Sequence, residues 1–372
     1  MLKSAIVIGS GIAGIATAYA LIQKGYQVRL LEKNGKPIGA SIRNFGMIWP
    51  TGQPDGEYYE LAMRSRQIWL DLSTKANFQL DQNGSLHLAY QNDEQNVLFE
   101  FIDANEDQRN LKWLAYNEVV GLSPGVVSDE LIGAMYSGDD MLIDPREALP
   151  KLIEWLQTIH GCIFHFNTPV LAIQDQTCFS PGQSWTADKI FICTGSDTEL
   201  LFPDVLKSSA IPCQLQMMRT GIQPEMFRLG PSLCGGLTLL HYSAFSGMPS
   251  LKDLKNRLNE EYNDLLQWGI HVMAAQNRTG EVTIGDSHQY DETPDPFIRQ
   301  DINEKILNYL SAFCRLPDPI IASYWKGSYL KSSGDLPYII QEVSPYCTVI
   351  NGLGGAGMTL SFGLVEKEIS RL

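Results

Sequence analysis

Positive charge is scarce in this chain. Across 372 residues, 28 Lys and Arg face 42 Asp and Glu, a formal net charge of −14. A chain this acidic repels nucleic-acid backbones and anionic membrane surfaces, so neither is expected as a partner. A small anionic ligand stays open, because a pocket needs only a few local cations. Paired cysteines are missing too. The seven cysteines, at 162, 178, 193, 213, 234, 314 and 347, are odd in number and contain no C-x-x-C. That pattern argues against a disulfide scaffold or a zinc site, and it predicts reduced core thiols in a cytoplasmic protein with no metal. There is no internal repeat and no low-complexity tract. Long apolar runs are confined to residues 5–23. Three regularly spaced glycines there, and the polar continuation Gln23-Lys24-Gly25, read as a folded strand and helix in place of a signal peptide or membrane span.

What is present is ample core material, 44% hydrophobic residues, in a chain too long for one ordinary core. Two domains or an interleaved pair are therefore expected. Residues 4–9 read as a buried strand, 12–24 as a helix and 26–32 as a second strand, followed by the Gly- and Pro-rich loop GASIRNFGMIWPTGQP at 39–54. A helix is expected over 58–76. The texture changes over 83–140, with a strand at 85–90 and an acidic helix at 93–108. Asp144-Pro145-Arg146-Glu147 then reads as an N-cap, an N1 proline and a first-turn acid opening a helix to about 160, with Pro150 as a point of kinking. Strands follow at 162–166 and 189–193, a helix at 251–268, and a closing strand, turn and helix at 347–352, 354–357 and 359–371. The expected division is 1–80, 141–205 and 326–372 in one domain, with 81–140 and 206–325 in the other.

Chemistry is carried first by Gly9-Ser10-Gly11-Ile12-Ala13-Gly14, set where a strand turns into a helix. Gly9 permits the tight turn, Gly11 lets the backbone approach a pyrophosphate, and Gly14 lets the helix pack on the sheet. Helix N-terminal amides then meet the phosphate charge. Glu32, eighteen residues after Gly14, stands where a carboxylate accepts hydrogen bonds from a ribose diol and repels a 2′-phosphate. This motif alone does not separate FAD from NAD. Ile190 to Gly195 is a strand ending in small residues, suited to closing over the same nucleotide or equally to an ordinary buried turn. Gly352-Leu353-Gly354-Gly355-Ala356-Gly357-Met358-Thr359 opens a final helix. Its amides suit the electron-rich edge of a flavin, and a helix-packing turn is the plainer alternative.

Taken in order, the fingerprint, Gly39-Ala40-Ser41, Asp144-Pro145-Arg146, Cys193-Thr194-Gly195, Asp335-Leu336-Pro337 and GLGGAGMT resemble the FAD-dependent superfamily of D-amino-acid, glycine and sarcosine oxidases. SIRNFGMIWPTGQP, LQMMRT, GGLTLLHY and IGDSHQYDE further resemble its bacterial clade associated with aminophosphonate metabolism. The resemblance implies an α/β architecture: a doubly wound, Rossmann-like FAD domain with an interleaved α+β substrate domain on a mixed or antiparallel sheet. It implies FAD contacts at Gly9, Gly11, Ile12, Ala13, Gly14, Glu32, Lys33, Ala40, Ser41, Asn44, Gly46, Val170, Thr194, Gly195, Gly354, Gly355, Gly357, Met358 and Thr359. The implied reaction is hydride transfer from a small amine to FAD, with hydrolysis of the resulting imine and reoxidation by oxygen or another acceptor. In glycine-oxidase-like members an Arg clamps the substrate carboxylate in a G-x-R segment before the D-G-x-P stretch. Here that segment is Gly327-Ser328-Tyr329, which puts an α-amino acid in doubt. No Cys lies between 327 and 337, so FAD is expected to be noncovalent.

If the substrate carries a phosphonate, Arg43 and Arg219 are the first candidate cations and Lys326 the third; a surface or interdomain salt bridge explains each as readily. Asn44 is either a flavin or substrate partner or a turn former. His241 and His288 are candidate pocket residues or locally satisfied core histidines. Tyr329 and Trp325 are candidate walls over the reacting carbon or core aromatics. The alternatives are a glycine-, sarcosine- or D-amino-acid-type oxidase, a flavin monooxygenase, an NAD-dependent dehydrogenase and a non-enzymatic flavin protein. Gly285-Asp286-Ser287-His288 is one residue short of the hydroxylase G-D-x-x-H stretch and stands 66 residues before Gly352, which disfavours the monooxygenase. The oligomeric state is not addressed by these features.

Overall fold

A computed structural model describes residues 2–372, apart from the side chains of residues 159 and 160. Met1 of the expected first segment lies outside that range. The apolar run at the N-terminus forms the strand Ser4–Ile8, its side chains buried from Ala5 onward, and the helix Ile12–Gln23 follows. In the resulting six-stranded sheet the order is Ile339–Ser344, Cys347–Asn351, Lys189–Ile192, Ser4–Ile8, Gln27–Leu31, Ile163–His165. Five strands run parallel, and Ile339–Ser344 is an antiparallel edge. Near-continuous Ile, Val and Leu in the central strands reflects burial on both faces, by helices on one side and a small meander over residues 172–186 on the other.

A nine-stranded sheet forms the second layer. It takes Ser85–Ala89, Leu111–Ala115 and Gly133–Ser137 from the first insertion, and Ala210–Ile222, Ser232–Cys234, Met273–Gln276, Glu281–Gly285, Gln289–Tyr290 and Ile321–Ser332 from the second. All pairs are antiparallel except Ser232–Cys234 with Ser85–Ala89, so the sheet is mixed. Ile321–Ser332 pairs along its whole length with Ala210–Ile222. The boundary expected at 326 therefore falls inside one strand, because ladder hydrogen bonding carries it past that point.

Other expectations shift in detail. Pro145–His160 is one helix, with Asp144 Oδ1 accepting the Arg146 amide, and Pro150 does not divide it. The helix with non-helical backbone inside is Leu251–Leu266, at Tyr262. Gln300–Phe313 forms a helix that the Pro- and Gly-interrupted reading of 206–325 passes over, and it packs beneath the large sheet. All seven cysteines are buried free thiols.

The sheets are tied together at a few polar points. Asp140, on the turn from Gly133–Ser137 into Met141–Ile143, accepts the Thr51 amide at 3.1 Å and the Ser85 hydroxyl at 2.6 Å. It is 1% exposed. Burial, opposed by those hydrogen bonds, pushes its carboxyl up to about 6 from an ordinary 3.8. A carboxyl with a raised folded-state pKa stabilises the fold fully below the unfolded value and loses that contribution as pH rises through the folded one. The window is pH 3.8 to 6, and the shift corresponds to about 3 kcal/mol. Asp140→Asn, whose amide reproduces the neutral carboxyl's hydrogen bonding, should therefore gain about 2 kcal/mol on the wild type between pH 4 and pH 7. Denaturant unfolding across that range checks it, and parallel curves for the two proteins would contradict it.

Candidate functional site

Both glycine turns open at the carboxyl ends of the parallel strands, where side chains give way to backbone. A Cβ on Gly9, at φ +103°, would stand 2.3 Å from the Cys193 carbonyl oxygen, and one on Gly14 would stand 1.9 Å from the Gly9 carbonyl oxygen. Only glycine lets the opening helix sit so close to the strand. At the other end of the chain, Gly354–Ala356 is a short turn that feeds the helix Gly357–Ser370. A Cβ on Gly357 would lie 3.5 Å from Ile12, so the two helix starts are neighbours.

They share one cavity of about 430 Å³. Its first half is lined by Gly9, Gly11, Ile12, Ala13, Glu32, Lys33, Ala40, Ser41, Asn44, Val170, Thr194, Gly195, Gly354, Gly355, Gly357 and Met358. Glu32 Oε2 accepts the Ser10 amide at 2.9 Å and its hydroxyl at 2.7 Å, while Oε1 accepts the Asn34 amide and side chain, each at 2.9 Å. The carboxylate is thus held rigid and only 7% exposed. Gly11 caps the opening helix without a side chain, and the Ile12 amide donates to the Ser41 hydroxyl at 2.9 Å. Lys33 pairs with Asp197 at 2.6 Å across the rim. Backbone amides at a helix start as donors, a fixed acid at the end of the second strand as acceptor and a second glycine turn opposite are the groups that a dinucleotide requires, so the cavity fits FAD.

Three expected contacts stand outside the lining. Gly14 packs helix on strand. Gly46, at φ +85°, is pressed against Ile143, where a Cβ would meet the carbonyl oxygen at 1.9 Å. The Thr359 hydroxyl accepts the Trp49 amide at 2.9 Å and so holds the Gly-rich loop. Asn351 is not among the expected contacts, yet its Nδ2 donates to the Gly195 carbonyl at 3.0 Å and its Oδ1 accepts the Gly352 amide at 2.8 Å. It joins two strand ends, and its position at the close of a predicted strand was the available signal.

The far half of the cavity is lined by Arg43, Phe45, Leu215, Met217, His241, Tyr242, His271, Met273, Asp286, His288 and Tyr329. Leu215 and Met217 face it because they alternate along Ala210–Ile222. Arg219 continues the same alternation but lies beyond the cavity, and here the expectation is corrected. Only 3% exposed, it donates to the Thr283 hydroxyl at 3.1 Å and pairs with Asp144 at 3.3 Å and Glu281 at 3.4 Å. It fastens the start of Pro145–His160 to the large sheet. Lys326 likewise turns to Gln214 at 2.7 Å and the Asp295 carbonyl at 2.6 Å. Trp325 donates to the Arg43 carbonyl at 2.9 Å and stands outside the lining. Asn44 lines the cavity, but its Nδ2 donates to the Ala40 and Ser41 carbonyls and its Oδ1 accepts the Gly46 amide, so it shapes its own loop.

His241 and His288 meet at the cavity together with His271 and Asp286, which sequence reasoning did not select as site residues. His271 and Asp286 exchange backbone hydrogen bonds between neighbouring strands, a pairing invisible before the register is known. His241 is exposed, its ring opening onto the cavity, whereas His271 and His288 are buried. Burial, and then the neighbouring imidazoles, hold His241 and His271 well below the usual histidine range. Burial pushes His288 down to about 4, and it raises Asp286, Tyr242 and Tyr329 well above their ordinary values. Burial thus disfavours the charged form of each of these groups, and Arg43 brings a guanidinium to the same half of the lining.

A family model described as FAD dependent oxidoreductase, DAO, matches residues 4–366. The chain is 54% identical over 43 residues to D-amino acid dehydrogenase 2 of Ralstonia nicotianae, covering 11% of this chain and 10% of that protein. It is 27% identical over 255 residues to the tRNA 5-methylaminomethyl-2-thiouridine biosynthesis bifunctional protein MnmC of Aeromonas hydrophila, covering 64% and 37%. The matches thus span well under half the length of these curated relatives. Glycine oxidase from Bacillus cereus superposes with a TM-score of 0.75 at 18% identity, covering 100% of this chain and 97% of that one, which shows a shared fold. No helix among the described residues is long and apolar enough to cross a membrane. With the family match extending over almost the whole length and both glycine turns on one cavity, the chain belongs to the DAO family of FAD-dependent oxidoreductases.

Proposed function

We propose that this protein oxidises the C–N bond of a small amine bearing an anionic group, with an aminophosphonate as the substrate class. The observation that carries the reading is the two-part cavity, whose nucleotide half leads directly into a compact half lined by Tyr329, Met217, Met273 and the three histidines. When bound, FAD supplies the two-electron acceptor for hydride. Oxidation of the amine gives an imine that water hydrolyses to a carbonyl compound and an amine or ammonia. Oxygen or another acceptor completes the cycle.

The chain's own part is to position and desolvate. Apolar walls of Leu215, Met217 and Met273 disfavour an ammonium ion and so favour the free amine, whose lone pair assists hydride departure. Tyr329 supports an anion other than an α-carboxylate, because it occupies the place of the expected clamp and brings no charge. Arg43 lies at the edge of this half, its Nη1 donating to the Lys326 carbonyl at 3.1 Å, and it is the guanidinium available to a phosphonate there. Noncovalent attachment is supported by Cys193, the cysteine that lines the cavity among the described residues. Its thiol is buried and pushed up to about 12, which keeps it unreactive. Seven free thiols support a cytoplasmic setting.

Acid precipitation of the purified yellow protein should release all of its flavin into the supernatant; colour retained in the pellet would contradict noncovalent binding. Anaerobic mixing should bleach the flavin with 2-aminoethylphosphonate or its 1-hydroxy derivative, faster than with glycine, sarcosine or D-alanine. Bleaching by the amino acids alone would overturn the phosphonate reading, and bleaching by none would overturn amine oxidation. Arg43→Ala should raise the half-saturating concentration of the phosphonate about tenfold, the loss of one charge-assisted contact, and leave that of an uncharged amine nearly unchanged.

A further inference from the structure

Three of the six histidines in the chain converge on one wall of the cavity, although they come from three separate segments. Their candidate ligand atoms lie within 4.8 Å of one another. The His241 and His271 rings are stacked at 3.7 Å and 7°, with His288 at 4.6 Å from the first and 4.9 Å from the second. Beside them is Asp286, its Oδ1 3.6 Å from His271 Nδ1 and its Oδ2 3.8 Å from His288 Nε2. These separations are too long for hydrogen bonds and leave a gap among donor atoms. His271 Nδ1 and Asp286 Oδ1 are buried without a hydrogen-bond partner. Unpaired buried polar atoms are costly, and a cation would take the His271 nitrogen as a ligand, with the Asp286 oxygen beside it outside the ligand set.

We infer that His241, His271 and His288 form a site for one divalent transition-metal ion, zinc being the probe of choice, with an open position toward the cavity. Neutral imidazole binds such an ion through the ring nitrogen that carries the lone pair. For His288 that atom is fixed: Nδ1 lies 3.3 Å from the Gly269 carbonyl, which can only accept, so Nδ1 carries the proton and Nε2 is free. A carbonyl that accepts from the non-ligating nitrogen fixes the ring's orientation, as is usual for ligating histidines. Ligand nitrogens around a tetrahedral ion stand about 3.3 Å apart, given bonds of about 2.0–2.1 Å. On that basis the cluster must close by roughly 1.5 Å, and the His241 ring must turn out of its parallel stack on His271, because imidazole lone pairs lie in the ring plane. His241 is the residue free to move, because it ends the one-turn helix Thr238–His241 and its ring opens onto the cavity. Three protein nitrogens with the fourth position facing a cavity is the open arrangement of a metal that receives a ligand. The ion would add to the charge of Arg43 at the cavity edge, which neither Tyr329 nor the distant Arg219 does, and would take a phosphonate oxygen of the substrate. This role, as distinct from the site, rests on the amine reading above.

The test uses the full-length flavoprotein, stripped with a chelator and dialysed against zinc, with metal and flavin measured on the same sample. One zinc per chain is expected, and cobalt in its place should give tetrahedral ligand-field absorption beyond the flavin bands. His241→Ala and, separately, His288→Ala should weaken zinc binding at least about tenfold with flavin content retained, whereas His165→Ala should not. A wild type that binds no zinc, or that binds it no better than His241→Ala and His288→Ala do, would overturn the site. Should one variant lose its flavin, the cobalt spectrum of the wild type and the other variant still decide. Zinc should also lower the half-saturating concentration of 2-aminoethylphosphonate about tenfold without helping propylamine. Zinc bound by a protein that no amine bleaches would uphold the site and overturn the amine reading; amines bleaching a protein that never binds zinc would do the reverse.

Discussion

Close approach of backbone to backbone at the carboxyl ends of the parallel strands is the constraint on which the rest of this molecule hangs. A methyl group on Gly9 would strike the Cys193 carbonyl, and one on Gly14 would strike Gly9 itself. Because these gaps are closed to side chains, the opening helix can present its N-terminus to the cavity. The closing helix arrives beside it through Gly357. The polypeptide's two ends are thereby brought to the same ligand, and the intervening chain is obliged to leave the first sheet and return to it twice.

Those excursions build the second layer, and its coupling to the first is polar at the seams and apolar between them. Arg219 bridges Asp144 and Glu281, Asp140 bridges Thr51 and Ser85, and Thr359 holds the Trp49 amide. Between these ties, Phe45, Met47, Trp49, Leu215, Met217 and Met273 form a continuous apolar cluster beneath the far half of the cavity. A buried charge paired as Arg219 is costs heavily when a partner is removed, so it specifies how the layers meet more than it adds to stability. Arg219 is instructive: its sequence context suited substrate binding, while its partners make it a fastener between layers.

Imidazoles, a carboxyl and phenols form one wall of the cavity in a protein of net charge −14. Burial disfavours charge on that wall, since desolvation penalises the charged form of each group. The same burial that removes charge leaves nitrogen lone pairs and a carboxyl oxygen facing one another. Such a wall suits a soft cation. The acidity of the protein as a whole has no bearing on that local balance.

Local order was readable from residue order alone. The strand, glycine turn and helix of residues 4–23, the acid at Glu32, the capped helix after Asp144 and the closing glycine turn all depend on neighbours within a few positions, so pattern and spacing sufficed to locate them. Tertiary structure decided the matters that depend on register. Which side of Ala210–Ile222 reaches the cavity, where Arg219 ends up, and that His241, His271 and His288 share a wall follow from pairings between strands tens of residues apart. The helix Gln300–Phe313 belongs with these, since its apolar face has meaning only against the sheet that covers it. Periodicity reports what each segment buries; only the pairing of distant strands determines against whom.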